Sequence, residues 1–174
     1  MICIGIDPGL TGAGAAVDHN GLVGVFDLPT MEIPGVGPEA LVKNKIDGHA
    51  LCTQLLRLCP LGSGKPLVLI ESVRAMGGKD NSIQTQASLL RSLGAIETVA
   101  ECLGWKPQYV APQKWKKFFG LIDPALKDSE RKRESLARAR ALYPNTKDDV
   151  LRLAKSHNRA EALLLAHWGV RTLS

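Results

Sequence analysis

Short apolar runs separated by turn residues organise the first 28 positions of the chain. Cys3, Ile4 and Ile6 read as a strand buried on both faces, and Asp7-Pro8-Gly9 cannot continue it. Thr11-Gly12-Ala13-Gly14-Ala15-Ala16-Val17 reads as a second strand of small residues, and His19-Asn20-Gly21 as the turn into a third. Strands are thus predicted near 2–7, 12–18 and 22–28, an opening three-stranded meander. Pro29 to Lys45, broken by Pro34-Gly35 and Gly37-Pro38, reads as a long surface loop. A helix is expected near 47–59, capped by Asp47, with Leu51, Leu55, Leu56 and Leu58 on its apolar side. A strand follows at 67–71, then a connector at 72–81. Ala87, Leu90, Leu93, Ile96, Val99 and Leu103 recur at helical spacing over 82–103. Beyond lie a strand at 106–110, a short helix opened by Pro112 and another opened by Ser129 and stopped by Pro144. A turn or two of helix is expected over 148–154, and a last helix over 157–170. This order predicts an α/β fold, a mixed five-stranded sheet flanked by helices, in a single domain over 1–174. No repeat, low-complexity segment or interdomain linker interrupts it.

Within that frame three carboxylates stand out. Asp7 closes the first strand, Glu71 closes the run Leu67-Val68-Leu69-Ile70, and Glu161 precedes the apolar run Ala162 to Ala166. A carboxylate set in apolar sequence is costly to desolvate unless something cationic meets it. Each has a plainer use. Asp before Pro-Gly often caps its own turn, a strand-end Glu can simply meet water, and Asn158-Arg159-Ala160-Glu161 fits an Asn-capped helix. Three such acids from three separate elements fit instead a convergent site for a hard cation, magnesium or manganese. Two such ions roughly 3.5–4 Å apart are the usual device for in-line phosphodiester cleavage. His157 lies four residues before Glu161 and would share its helix face.

Composition narrows the partners. The chain has 22 Lys+Arg against 17 Asp+Glu, a net charge of +5 and a pI near 9.1, compatible with a polyanionic partner. Many of the cations crowd into one region, including Lys114, Lys116, Lys117, Lys127, Arg131, Lys132, Arg138 and Arg140. Trp115 among them is core or a stacking platform. Cys3, Cys52, Cys59 and Cys102 have no zinc-site spacing and read as small buried hydrophobes, as in a reducing cytoplasm. The first strand starts at Met1, so no signal peptide is expected, and no apolar run has the roughly 20 residues needed to span a bilayer. Gly62-Ser63-Gly64-Lys65 precedes a strand, so it is not a phosphate-binding loop.

Ile4-Gly5-Ile6-Asp7-Pro8-Gly9 with Thr11-Gly12, then Ile70-Glu71, then Arg159-Ala160-Glu161-Ala162-Leu163 resembles the RuvC-type Holliday-junction resolvases, especially phage-like members. Ala111 to Lys117 and Ser129 to Pro144 extend the resemblance over nearly the whole chain. It implies an RNase H-like fold and a homodimer that nicks two strands of a four-way DNA junction symmetrically, leaving 5′-phosphates. It also implies two Mg2+ or Mn2+ ions per active site and the cytoplasm of a bacterial or phage-infected cell. Asp7, Glu71 and Glu161 fall on the family's acidic positions, with His157 near the fourth. The family's last helix commonly carries Asp-x-x-Asp or His-x-x-Asp, whereas Asn158 stands three before Glu161, so His157 and Asn158 both remain open as the fourth group. For DNA contacts the expected residues are Lys114, Lys116, Lys117 and Lys132, with Arg74 and Lys79 in the connector where the family inserts a loop at the branch point. Met76 would be a wedge at its tip. The rivals are an RNase H-like nuclease on flaps or RNA–DNA hybrid and a non-catalytic junction-binding protein. Gly-x-Asp-x-Gly also opens the acetate-kinase, sugar-kinase and actin group, but those proteins need a second nucleotide-binding lobe, so no nucleotide cofactor is expected.

Overall fold

A computed structural model describes residues 1–35, 37, 39–73, 83–146, 149–153 and 156–173. The strands are β1 (Cys3–Asp7), β2 (Ala13–Asp18), β3 (Gly21–Asp27), β4 (Thr30–Glu32), β5 (Asn44–Ile46), β6 (Leu67–Glu71) and β7 (Pro107–Val110). The helices are α1 (Gly48–Leu58), α2 (Ile83–Cys102), α3 (Pro112–Phe118), α4 (Asp128–Leu142) and α5 (His157–Thr172). A five-stranded sheet runs in the order β3-β2-β1-β6-β7, antiparallel across the opening meander and parallel from β1 through β6 to β7. The mixed sheet expected from the element order is therefore present.

Side-chain alternation divides the core between the two faces of this sheet. Ile4, Ile6, Val68 and Ile70 pack on one face with Leu51 and Leu55 of α1 and Ile96 and Ala100 of α2. Cys3, Ala13, Ala15, Val17 and Leu69 pack on the other with Trp115, Leu136 and the long buried face of α5. Only very small side chains let α5 lie where it does. A Cβ on Gly5 would stand 2.4 Å from the Ala162 carbonyl oxygen and 2.6 Å from the Ala166 nitrogen. A Cβ on Gly169 would stand 2.4 Å from Cys3 Sγ. Arg159 fixes the front of the helix: its guanidinium makes two 2.6 Å bonds to the Asp27 carboxylate and a third, of 3.1 Å, to the Val150 carbonyl.

Three expectations need correction. Pro29 to Lys45 is not all loop, because β4 and β5 pair antiparallel from Thr30↔Ile46 to Glu32↔Asn44. The Pro-Gly breakers sit beyond the paired residues, and Asp47 N–H to Pro29 C=O and Ile33 N–H to Lys43 C=O extend the ladder at both ends. Residues 149–153 form turns instead of helix. Arg140 takes the Leu151 and Arg152 carbonyls that a helix would have used. The cysteines are not uniformly buried: Cys3 and Cys59 are, Cys52 is half-buried and Cys102 is exposed. Asp47 caps α1 as expected, accepting from the Ala50 N–H. Among the described residues no helix is long and apolar enough to cross a membrane.

Candidate active site

β1 and β6 run side by side and parallel, with Gly5 opposite Leu69 and Ile6 opposite Ile70. One residue further on, each strand ends in its carboxylate, Asp7 and Glu71. Both follow the alternation of Cys3, Gly5 and Leu69, so they project toward α5. The close approach of α5 at Gly5 then brings Glu161, one turn into that helix, over the same end of the sheet. Carboxyl ends of parallel strands are where open α/β sheets gather ligand-binding groups. Here Asp7, Glu71 and Glu161 lie near enough for the charges of Glu71 and Glu161 to act on Asp7.

Their electrostatics record the crowding. Burial pushes the Asp7 carboxyl well above its usual range, and the neighbouring charges of Glu71 and Glu161 push it further. Lys116 and Lys132 pull the other way. Glu71 is raised to about 7, first by burial, with Lys116 and a hydrogen bond from Trp115 opposing and Glu161 adding to the rise. Such a cluster wants positive charge.

β7 pairs with β6 so that Val110 lies opposite Glu71, and α3 starts at Pro112, two residues later. This short link carries two adjacent side chains into the cluster. The Trp115 indole N–H donates to Glu71 Oε2 at 2.9 Å. The Lys116 ammonium bridges both oxygens of Glu161, at 3.2 and 3.1 Å, and lies 5.0 Å from the centre of the Trp115 ring. From α4, the Ser135 hydroxyl donates to Glu161 Oε1 at 3.1 Å. Trp115 and Ser135 escaped the sequence reading as site residues. Trp115, set among lysines, reads as core or a stacking platform, and core it also is; nothing local marks its indole N–H, or the hydroxyl of a lone Ser, as a carboxylate donor.

The other expected residues are spread around this centre. Lys114 and Lys117 are exposed on α3. Lys132 pairs with Asp128 at 2.9 Å and lines, with Arg131, Lys116, Ser135 and Glu161, a cavity of about 440 Å³ between α3 and α4. His157, partly exposed at the first position of α5, lines a separate depression with Leu10, Thr11, Gly12 and Asp27. Asn158 does not cap the helix. Ser156 holds the cap position, while the Asn158 amide donates to the Thr11 carbonyl. Arg74, Met76 and Lys79 lie outside the described residues.

An oxygen-only donor set of Asp7, Glu71 and Glu161 matches the chemistry of magnesium or manganese. As the side chains are placed, no group of three His, Cys, Asp or Glu among the described residues is gathered closely enough to hold an ion. A lysine ammonium meets Glu161 instead.

No family model matches the chain. Over 116 residues, 65% of its length, the chain is 34% identical to "Holliday junction resolvase MOC1, chloroplastic" of Chlamydomonas reinhardtii. That stretch is 12% of the relative, so the chain spans only a small part of the curated protein it matches. Among solved structures, the chain is similar to Thermus thermophilus RuvC in complex with Holliday junction substrate, with a TM-score of 0.57 and 14% identity over 98% of this chain and 96% of that one. Another Thermus thermophilus RuvC structure gives a TM-score of 0.50 at the same identity and coverage. The RNase H-like fold implied by the sequence resemblance is thus the fold of this protein.

Proposed function

We propose that this chain is a metal-dependent, structure-selective endonuclease that resolves four-way DNA junctions by paired symmetric nicks leaving 5′-phosphates. The observation that carries the reading is the convergence of Asp7, Glu71 and Glu161 from β1, β6 and α5 at one end of an RNase H-like sheet. The local sequence likeness to a junction resolvase supports the choice of substrate. Asp7, Glu71 and Glu161 would hold Mg2+ or Mn2+, two ions per site, with His157 as the fourth group. When bound, such ions offset charge on the scissile phosphate and acidify water. The chain's own residues do the rest. The buried carboxylates fix where the cations sit, and His157 carries a proton to or from water. Lys114, Lys117 and Lys132 would hold backbone phosphates without reading bases, as recognition of junction shape requires. Lys116 would join them once freed from Glu161, and Arg74 and Lys79 would meet the branch point. In-line attack of water with departure of the 3′ oxygen leaves the 5′-phosphate.

Symmetric nicking calls for two sites, hence a homodimer. Ile83 and Leu90, 85% and 52% exposed on one side of α2, offer an apolar surface for a second copy. Free thiols at all four cysteines suit a reducing cytoplasm, in keeping with a bacterial or phage-infected cell.

The test is incubation of the protein with end-labelled four-way junction, duplex, flap and RNA–DNA hybrid, in Mg2+, Mn2+ or chelator. Paired nicks in the junction alone, lost in chelator, are expected. Preferential cutting of flap or hybrid would move the protein to the RNase H-like rival. Junction binding without cutting in either metal would make it a non-catalytic binder.

A further inference from the structure

We propose that α3 sets the acid cluster through two neighbouring side chains of different permanence: Trp115 as a fixed positioning residue for Glu71, and Lys116 as a displaceable counter-charge on Glu161. The inference rests on the reading above that the cluster takes divalent cations.

Trp115 is fully buried, packed edge-on to Phe119 in the core beneath α5. An indole has a single donor and no acceptor, and here that donor is spent on Glu71 Oε2. Turning the ring away would both open the core and strip the carboxylate of its hydrogen bond. The backbone gives it little freedom, since the Ser72 N–H donates to the Val110 carbonyl at 2.9 Å and ties the end of β6 to the strand that leads into α3. A neutral donor also keeps its place whatever charge arrives. It orients Glu71 without competing for it.

Lys116 differs on each point. Its side chain is 27% exposed, on a flexible stem, and its hold on Glu161 is a charge-assisted contact to both carboxylate oxygens, at 3.2 and 3.1 Å, made by a freely rotating point charge. A divalent cation at the acids would repel the ammonium and take over its carboxylate. Ser135 stays bound to Glu161 Oε1 through that exchange and keeps the carboxylate from swinging freely. The released ammonium then has an obvious second partner, a backbone phosphate lying over the cluster. Cation and DNA would therefore assist each other: the phosphate draws Lys116 off Glu161, and the freed Glu161 receives the ion. Linkage makes such coupling reciprocal.

The neighbours thus have opposite effects on cation affinity in the absence of DNA. The test measures Mn2+ binding to the intact free protein by calorimetry and by the resonance of unbound Mn2+. It compares wild type, Asp7→Asn, Trp115→Phe and Lys116→Met, with thermal unfolding recorded for each. A further variant carries benzothienylalanine at position 115, which keeps the ring volume and loses only the N–H, so a folding defect in Trp115→Phe does not obscure the result. Loss of the indole donor should weaken Mn2+ binding about 10–100-fold, the usual cost of removing a group that orients a metal ligand. Lys116→Met should tighten it roughly fivefold, the factor equivalent to about 1 kcal/mol for a partly exposed ion pair. Merely structural roles would lower affinity in both. Wild-type affinity in the benzothienylalanine variant overturns the role of Trp115, and unchanged or weaker binding in Lys116→Met overturns that of Lys116. If Asp7→Asn binds Mn2+ as wild type does, the cation site itself is misplaced and the inference falls with it.

Discussion

Gly5→Ala tests the packing that delivers Glu161 to the site. The new methyl would stand 2.4 Å from the Ala162 carbonyl oxygen and 2.6 Å from the Ala166 nitrogen, where ordinary contact begins at 3.4 Å. Both obstacles are backbone of a single helix, so no side chain can step aside. Relief requires α5 to retreat from β1 by about 1 Å, the shortfall of 3.4 against 2.4. Overpacking of this kind costs about 1–3 kcal/mol, or roughly 2–12 °C of Tm for a domain of this size. The retreat also strains the contacts of Glu161 with Lys116 and Ser135, each 3.1–3.2 Å long. A displacement of 1 Å at a reacting centre can cost about a hundredfold in rate. Thermal melts and junction cleavage on the same preparation check both numbers. Gly94→Ala is the control: nothing lies within 4 Å of its added methyl, and it should gain roughly 0.5–1 kcal/mol of helix stability. A Gly5→Ala protein that melts within 1 °C of wild type and cleaves normally would refute the claim that this contact sets the position of α5.

Further outcomes follow from the same geometry. His157→Ala should slow cleavage far more than Asn158→Ala, which loses only a bond to the Thr11 carbonyl; the reverse order in two folded variants would give the fourth role to Asn158. Glu71, raised from 4.5 to about 7, keeps its proton longer in the folded chain than in the unfolded one. In chelator the folded protein should therefore lose stability as pH rises from 4.5 through 7, by on the order of 3 kcal/mol at most, and then level off. Glu71→Gln should flatten that fall, as denaturation midpoints across the pH range would reveal. Lys114→Ala and Lys117→Ala should each reduce the slope of log affinity against log salt by roughly 0.9, leaving the preferred cutting sequence unchanged. A slope that does not move marks that lysine as solvated surface.

Much of this site is written in local sequence. Asp7 and Glu71 each end an apolar run, and Glu161 stands at the front of one, so the three acids and their elements are legible without a structure. What is not legible is their register. That β1 and β6 are neighbours, parallel, with their terminal carboxylates level, depends on pairing across some 60 residues of chain, and no local pattern encodes it. The same holds for Trp115, Lys116 and Ser135, whose partners lie 44, 45 and 26 residues away. Lys116 read as one cation of a basic surface because neighbouring Lys114 and Lys117 are just that. The strands β4 and β5 were hidden for another reason: each has only three residues, too few to show alternation, and the Pro and Gly between them dominate the segment. Asn158 looked like a cap because Glu161 follows it by three residues, but α5 starts at His157, as its apolar pattern predicts, and so Asn158 lies inside the helix.

The central claim is that cations gathered by Asp7, Glu71 and Glu161 cut a DNA junction, and Asp7→Asn tests it most directly. The substitution keeps the size of the side chain and removes one negative charge from a crowded cluster, so folding should be unharmed and junction binding equal or tighter. With a labelled four-way junction in Mg2+ or Mn2+, the account predicts full binding in a gel-shift assay and no detectable nicking over a time in which wild type goes to completion. Nicking by Asp7→Asn at an appreciable fraction of the wild-type rate would contradict it.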